Sequence, residues 1–304
     1  MRPRSTGVLA VVAVVVVVAV LVACGAGGSP FPRDSVLRLN QIQVRGTHNS
    51  YHPPLPGLEV QLDHGARQLE LDVFADPSGR FAVHHSAADL LSSCPALDAC
   101  LAVIRQWMDH HPRAGPLFLI IEDKDAVGPP AVGSVDALDA VVRAGLPGRR
   151  LVRPEEVLVG GGRRWPKLGD VRGRAVVVLI GPLAGPYSRG GTSLRGRAMF
   201  VYANAGPLAA ITSRPDPVGQ AAEIASFVRA GLMVRTQADD GFLDVRRRPA
   251  ASTSGAQVIS AADESFVLPG GTPSRCDPLL VAPGMCRASD VERGPAPPLR
   301  RNSS

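Results

Sequence analysis

The sequence predicts an α/β fold: a (β/α)8 TIM-like barrel, a single domain behind an N-terminal segment. Three observations predict it. Short β-rich runs alternate with helical segments over roughly 260 residues. The runs number close to eight. No glycine-rich nucleotide fingerprint follows any of them, which weighs against an open doubly wound sheet.

The elements follow in order. Gln41-Ile-Gln-Val44 alternates as a strand does, and so does Gln68-Leu-Glu-Leu-Asp-Val73, with Leu and Val on one face and Glu70 and Asp72 on the other. Phe81-Ala-Val83 is short and apolar and is counted as the next strand. From Pro95 to His110 the apolar residues Leu97, Leu101, Ile104, Trp107 and Met108 keep helical spacing, and Pro95 suits a helix start. Leu117–Ile121 is a buried strand. Val135–Ala144 is a helix ended by Gly145. Ala175–Ile180 is the strongest strand, and Met199–Tyr202 follows. Val218–Ala230 is a helix leading into Leu232–Thr236, and Gln257–Ser260 is the last strand.

Composition narrows the class. Hydrophobic residues make up 45% and charged residues 20% of 304 residues, which excludes a disordered chain. Only one apolar run is long enough to cross a bilayer, so a multi-span membrane protein is excluded too. The net charge of +6 is almost all arginine, since Lys124 and Lys167 are the only lysines. No basic block is interleaved with aromatics, so nucleic acid is not an expected partner. No protein partner is inferred, and a monomer is expected.

Arg2 and Arg4 precede the apolar run Val8–Ala23, which ends at Leu21-Val-Ala-Cys24 before a Gly/Ser/Pro stretch. This is the layout of a secretory signal. The terminal cysteine resembles a bacterial lipobox, which makes Cys24 the candidate lipidation site. The alternatives are an ordinary secretory signal and an uncleaved helical anchor. The expected organisation is a signal over residues 1–23, a tether over 24–36, a catalytic barrel over 37–289 and a disordered tail over 290–304. The chain is expected to be exported, lipid-anchored to the outer face of the cell membrane or secreted. Four cysteines then remain, an even number. The economical pairing is two local disulfides, Cys94–Cys100 and Cys276–Cys286.

Polar residues collect at the ends of the early strands: Gly46-Thr-His-Asn-Ser50, then Glu70 and Asp72, then His84-His85, then Glu122-Asp-Lys-Asp125. In a parallel barrel all of these lie around one mouth. Glu70 and Asp72 share a face, about 6–7 Å apart. Three carboxylates and the Asn49 amide brought together would repel without compensation. A hard divalent cation removes the conflict, and an all-oxygen donor set favours Ca2+ first and Mg2+ second. The histidines are then free for proton transfer. His52, His64, His110 and His111 read as structural or surface residues.

These segments resemble the calcium-dependent phosphoinositide-specific phospholipase C family of bacteria. The resemblance runs over about residues 40–290. It rests on Gly46-Thr-His-Asn-Ser-Tyr-His52, Gln61–Asp72, Val83-His84 before Cys94, and Ile121-Glu-Asp-Lys-Asp125. Leu168–Gly173, Val234-Arg-Thr-Gln-Ala-Asp239, Ser254–Ser260 and Arg275-Cys-Asp-Pro278 extend it. The resemblance implies His48 and His84 as the catalytic pair, with His85 as the alternate. It implies Asn49, Glu70, Asp72 and Glu122 as Ca2+ ligands, and Lys124, Arg235 and Asp239 toward the substrate, a phospholipid at a membrane surface. Metal-independent relatives carry an arginine where this chain has Asp72, and an aspartate there requires a cation. Two features depart from the family: a short segment between His52 and Gln61, and Ala261–Glu264 in place of a run with an aromatic. The implied reaction is cleavage of phosphatidylinositol-type lipids to diacylglycerol and inositol (cyclic) phosphate. A glycerophosphodiester phosphodiesterase and a non-catalytic lipid- or inositol-binding lipoprotein are the alternatives.

Overall fold

Eight parallel strands form the barrel in the computed structural model, which describes residues 31–76, 78–124, 134–239 and 247–294. In chain order the strands are β1 (Ile42–Thr47), β2 (Gln68–Ala75), β3 (Phe81–Val83), β4 (Leu117–Asp123), β5 (Leu158–Val159), β6 (Gly162–Arg163), β7 (Ala175–Ile180), β8 (Phe200–Val201), β9 (Ile211–Ser213), β10 (Met233–Gln237), β11 (Val258–Ala261) and β12 (Ser274–Cys276). The helices are α1 (Leu58–Asp63), α2 (Leu97–His110), α3 (Ser134–Gly145), α4 (Pro154–Val157), α5 (Ala184–Tyr187), α6 (Ala221–Arg229) and α7 (Arg247–Thr253).

The barrel order is β1-β2-β4-β7-β8-β9-β10-β11, each strand beside its predecessor, with β11 returning to β1. A parallel bridge between Tyr202 and Ile211 joins β8 to β9 and completes the circle. Two apolar layers follow from strand alternation. Val44, Phe118, Ile120, Val176, Val178, Phe200, Met233 and Val258 share one cluster, the barrel interior. Leu69, Leu71, Leu119, Ile121, Val177 and Leu179 share the other, packed against α2 and α3. Helix α2 buries Leu97, Cys100, Leu101, Ile104, Trp107 and Met108, the three-and-four spacing that gives a helix one apolar face.

The predicted strand count holds, but its membership changes. Phe81–Val83 is not a barrel strand: β3 folds back antiparallel on the end of β2, pairing Val73 with Val83 and Ala75 with Phe81. The eighth barrel strand is instead β9, three residues with no periodic signal of their own. The expected domain limits also move outward. Phe31 and Asp34 are already buried, and Asp34 accepts from Arg172 Nη2 at 2.6 Å. Arg172 lies just before β7, so the chain joins the barrel at its N-terminal end. At the other terminus Val291 and Glu292 are buried. Glu292 holds Arg67 at 2.8 Å, Gly115 N at 2.9 Å and Ser274 Oγ at 2.7 Å. A carboxylate with that many donors keeps residues 290–294 on the barrel. The predicted signal, Cys24, most of the tether and residues 295–304 of the tail lie outside the described residues. Both predicted disulfides are present, Cys94–Cys100 and Cys276–Cys286. Among the described residues no helix is long and apolar enough to cross a membrane.

Candidate active site

The site begins at the end of β1. Gly46 is there because a Cβ would fall 2.4 Å from the Cβ of Gln68. Beyond it the chain turns over the top of β2. Ser50 N donates to the Glu70 carbonyl at 3.0 Å, and Glu70 N donates to Ser50 Oγ at 2.8 Å. Gln61 Nε2 holds the Ser50 carbonyl at 2.6 Å, and Thr47 Oγ1 donates to Gln61 Oε1 at 2.7 Å. His48 N bonds the Ala261 carbonyl on β11 at 2.8 Å. His48 and Asn49 are therefore fixed between β2 and β11. Asn49 adopts φ 49°, a left-handed conformation that asparagine tolerates better than most residues.

Alternation on β2 turns Glu70 and Asp72 into the barrel, where they are 1% and 0% exposed. Glu122 sits opposite Asp72 in the β2–β4 register. One carboxylate oxygen from each of Glu70, Asp72 and Glu122 lies within 4.8 Å of the others. Neither oxygen of Asp72 accepts a hydrogen bond. Lys124 Nζ lies 2.9 Å from Glu122 Oε1 and 3.4 Å from Asp72 Oδ2. From the opposite wall Arg235 on β10 pairs with Glu70 Oε2. Its Nε donates to Ser260 Oγ at 2.9 Å, and Ser260 in turn donates to Gln68.

The charges bear the marks of this crowding. Burial pushes the Asp72 carboxyl up to about 6, with Glu122 and Glu70 adding repulsion against the pull of Lys124. Burial also raises Glu70, while Arg235 and the Asn49 backbone N–H pull the other way. Burial works against the Lys124 ammonium, yet Glu122 and Asp72 hold it above the ordinary lysine value. Burial, then the Arg235 charge, bring the His48 imidazole down to about 4, despite Asp72 and Glu122. His48 Nε2 lies 3.9 Å from Glu70 Oε2. Tyr51 is fully buried, and burial together with Asp72 holds its phenol well above the ordinary value.

The His84 ring stacks on Phe74 at 4.1 Å between centroids. Phe74 continues the face of β2 that carries Glu70 and Asp72, so His84 stands over the same end of the barrel. Its Nδ1 faces the Ser86 carbonyl at 3.1 Å. A carbonyl only accepts, so Nδ1 carries the proton and Nε2 is left for exchange. His85 is exposed, with its ring 5.9 Å from that of His52.

A cavity of about 230 Å³ opens here, lined by His48, Asn49, His52, Leu55, Gln237 and Asp239 among others. Sequence reasoning placed His52 outside the site, but His52 forms part of its wall, with Nε2 2.8 Å from Asp89 Oδ2. Tyr51 was also missed; the signal was its place between Ser50 and His52. Asp239 lines the cavity and accepts from Ala262 N at 3.0 Å. Burial raises its carboxyl against the pull of Arg248. Arg235 is 6% exposed and lies beneath the cavity, on Glu70 rather than among the lining residues.

The donors fit a hard cation. They are all oxygens, three are carboxylates, and those of Asp72 are buried without hydrogen bonds. A model of the family described as phosphoinositide phospholipase C, Ca2+-dependent, matches residues 81–266. The chain belongs to this Ca2+-dependent phosphoinositide phospholipase C family. Solved structures agree on the fold. A calcium-dependent phosphoinositol-specific phospholipase C from Pseudomonas sp, apo form, is similar with a TM-score of 0.65 at 19% identity, covering 81% of this chain and 97% of that one. The Ca2+-dependent enzyme of Streptomyces antibioticus gives 0.60 at 18%, covering 75% and 95%. PLC21 of S. officinalis gives 0.54 at 11%, covering 80% and 37%. No curated protein matches. The chain thus has the family and fold of Ca2+-dependent phosphodiesterases acting on phosphoinositides.

Proposed function

We propose that this phospholipase cleaves phosphatidylinositol-type lipids by attack of the inositol 2-hydroxyl on phosphorus. The new O–P bond closes a cyclic phosphate as the bond to the diacylglycerol oxygen breaks. One carboxylate, Glu70 or Glu122, takes the hydroxyl proton. The His84 ring, its Nδ1 proton held by the Ser86 carbonyl, takes part as the imidazolium and delivers its Nε2 proton to the departing oxygen, ending as the neutral ring. His48, held neutral, donates a hydrogen bond to the phosphoryl oxygens, and the Lys124 ammonium adds its charge there. Asp239 accepts from ring hydroxyls. Asn49, Glu70, Asp72 and Glu122 would hold Ca2+, which when bound supplies the charge that offsets both the carboxylates and the phosphoryl oxygens.

One observation carries this reading: the Glu70–Asp72–Glu122 triad, whose Glu70 lies 3.9 Å from His48, a residue that lines the cavity. The test is turnover of phosphatidylinositol and of glycerophosphodiesters with and without Ca2+. Chelator should abolish cleavage and Ca2+ restore it. His84→Ala should lose about 10²–10⁴-fold in kcat with the fold intact. Equal loss in His85→Ala and none in His84→Ala reassigns the acid. The two local disulfides support an exported enzyme, with Cys24 as its lipid anchor. Mass spectrometry of the mature N-terminus tests the anchor.

A further inference from the structure

Among the described residues, three neighbouring buried oxygens have no hydrogen bond: both carboxylate oxygens of Asp72 and the hydroxyl of Tyr51. Asp72 and Tyr51 are both 0% exposed, so water does not serve them from the surface. Buried polar groups are nearly always paired, and each exception calls for a reason. These exceptions are chemically complementary. An ionised carboxylate only accepts, and a phenol has one O–H to give.

Tyr51 has little freedom to turn away. It belongs to the apolar cluster that includes Leu58, Leu62, Leu71 and Val83. Its backbone is held on both sides. Ser50 N donates to the Glu70 carbonyl at 3.0 Å, His52 N to the Asn49 carbonyl at 2.9 Å, and Ser93 N to the Tyr51 carbonyl at 2.7 Å. A ring fixed at its base and along its faces aims its hydroxyl one way, and that way is the triad. Of the charges around the phenol, Asp72 acts on it most strongly, ahead of Glu70 and Glu122. Asp72 is fixed as well, by its place in β2 opposite Glu122 on β4. Lys124 Nζ approaches Asp72 Oδ2 only to 3.4 Å, as an ion pair without a hydrogen bond.

A carboxylate that gives one oxygen to a hard cation keeps a second oxygen, and hydrogen bonds to ligating carboxylates hold them in place. Tyr51 is the uncharged donor beside Asp72. Unlike Lys124, it can hold that second oxygen without cancelling the charge that attracts a cation.

We propose that Tyr51 is a positioning residue of the cation site: its hydroxyl donates to the Asp72 oxygen that does not ligate, and so restricts Asp72 to one-oxygen binding. The proposal rests on the reading of Glu70, Asp72 and Glu122 as Ca2+ ligands. Tyr51 itself touches neither the cation nor the lipid.

The test is Tyr51→Phe, which deletes the hydroxyl and keeps the ring in its cluster. Ca2+ is titrated into the full chain by calorimetry without substrate, and melting is followed in EDTA and in Ca2+. The expected result is a Kd for Ca2+ raised about 10–100-fold, as loss of a group that orients a metal ligand does. In EDTA the variant should melt no lower than the wild type, because it has lost an unpaired buried hydroxyl. The two readouts separate positioning from packing. A hydroxyl that served only the fold would lower the melt in EDTA and leave Kd alone, and that result overturns the proposal. An unchanged Kd with an unchanged melt overturns it too. A wild type that binds no Ca2+ overturns the ligand reading along with it, whereas a variant that matches a Ca2+-binding wild type sinks the role of Tyr51 alone.

Discussion

The guanidinium of Arg235 reaches across the barrel to the carboxylate of Glu70, and both side chains are almost wholly shielded from water. The pair connects β10 to β2 through the polar layer that lies above the apolar interior. Removing one partner strands the other charge. Arg235→Met should destabilise the fold by about 3–5 kcal/mol, as breakage of buried pairs does. Urea unfolding measures it. A change under 1 kcal/mol would show that Glu70 takes up its proton and needs no partner.

Asp72 is a second liability for the metal-free protein. Asp72→Asn removes a charge from between Glu70 and Glu122. In EDTA the variant should melt higher than the wild type. On adding Ca2+ the order should reverse: the wild type gains about 2.7 kcal/mol at a hundredfold excess over Kd, and the variant gains far less. Thermal melts with and without Ca2+ read both effects. A variant that melts lower in EDTA and keeps its Ca2+ response removes Asp72 from the ligand set.

Asp277 predicts a pH dependence away from the site. It is fully buried, and Oδ1 accepts Leu279 N at 2.8 Å and Leu280 N at 3.1 Å, while Oδ2 has no partner. Burial pushes its carboxyl up to about 7, against the pull of those backbone bonds and Arg275. In the unfolded chain it ionises near 4. The unfolded state therefore releases its proton first as pH rises. Stability should fall between about pH 4 and 7, by up to about 4 kcal/mol, and level off above. Asp277→Asn should remove this contribution to the slope and be the more stable protein at pH 8. Chemical denaturation across that range checks it.

Glu292 has the opposite sign. Burial alone would raise its carboxyl, but Arg67 beside it and the Gly115 and Ser274 donors hold it below the ordinary value. Its contribution is present above the usual glutamate range and is lost as pH falls through the depressed value. Glu292→Gln leaves the buried Arg67 without its carboxylate and should cost about 3–5 kcal/mol. Calorimetry at neutral pH measures it, and a loss under 1 kcal/mol would leave the C-terminal segment free to be trimmed.

The carboxylates were legible because strand alternation is a strict two-residue rule: Glu70 and Asp72 had to share a face, and that face proved to be the interior. The eighth strand was not. Ile211-Thr-Ser213 is too short to show a period, and its pairing is imposed by neighbours on both sides. Chain length settles Phe81–Val83. A parallel crossover needs about a dozen residues, and only five separate Ala75 from Phe81. His52 was hidden for another reason. Its place in the wall is set by a loop crossing to the β1 turn, a contact with Asp89 some forty positions away that no local pattern encodes. Arg235 was recognised as a site residue, but its partner was not, because β10 and β2 face each other only once the barrel closes.

Phe31 and Asp34 fasten the start of the packed chain beneath the barrel, against Arg172 at the foot of β7, whereas the catalytic opening lies at the strands' far ends. The first described residues therefore lie on the blind side. A probe gripping the folded barrel at Phe31 would leave the opening uncovered.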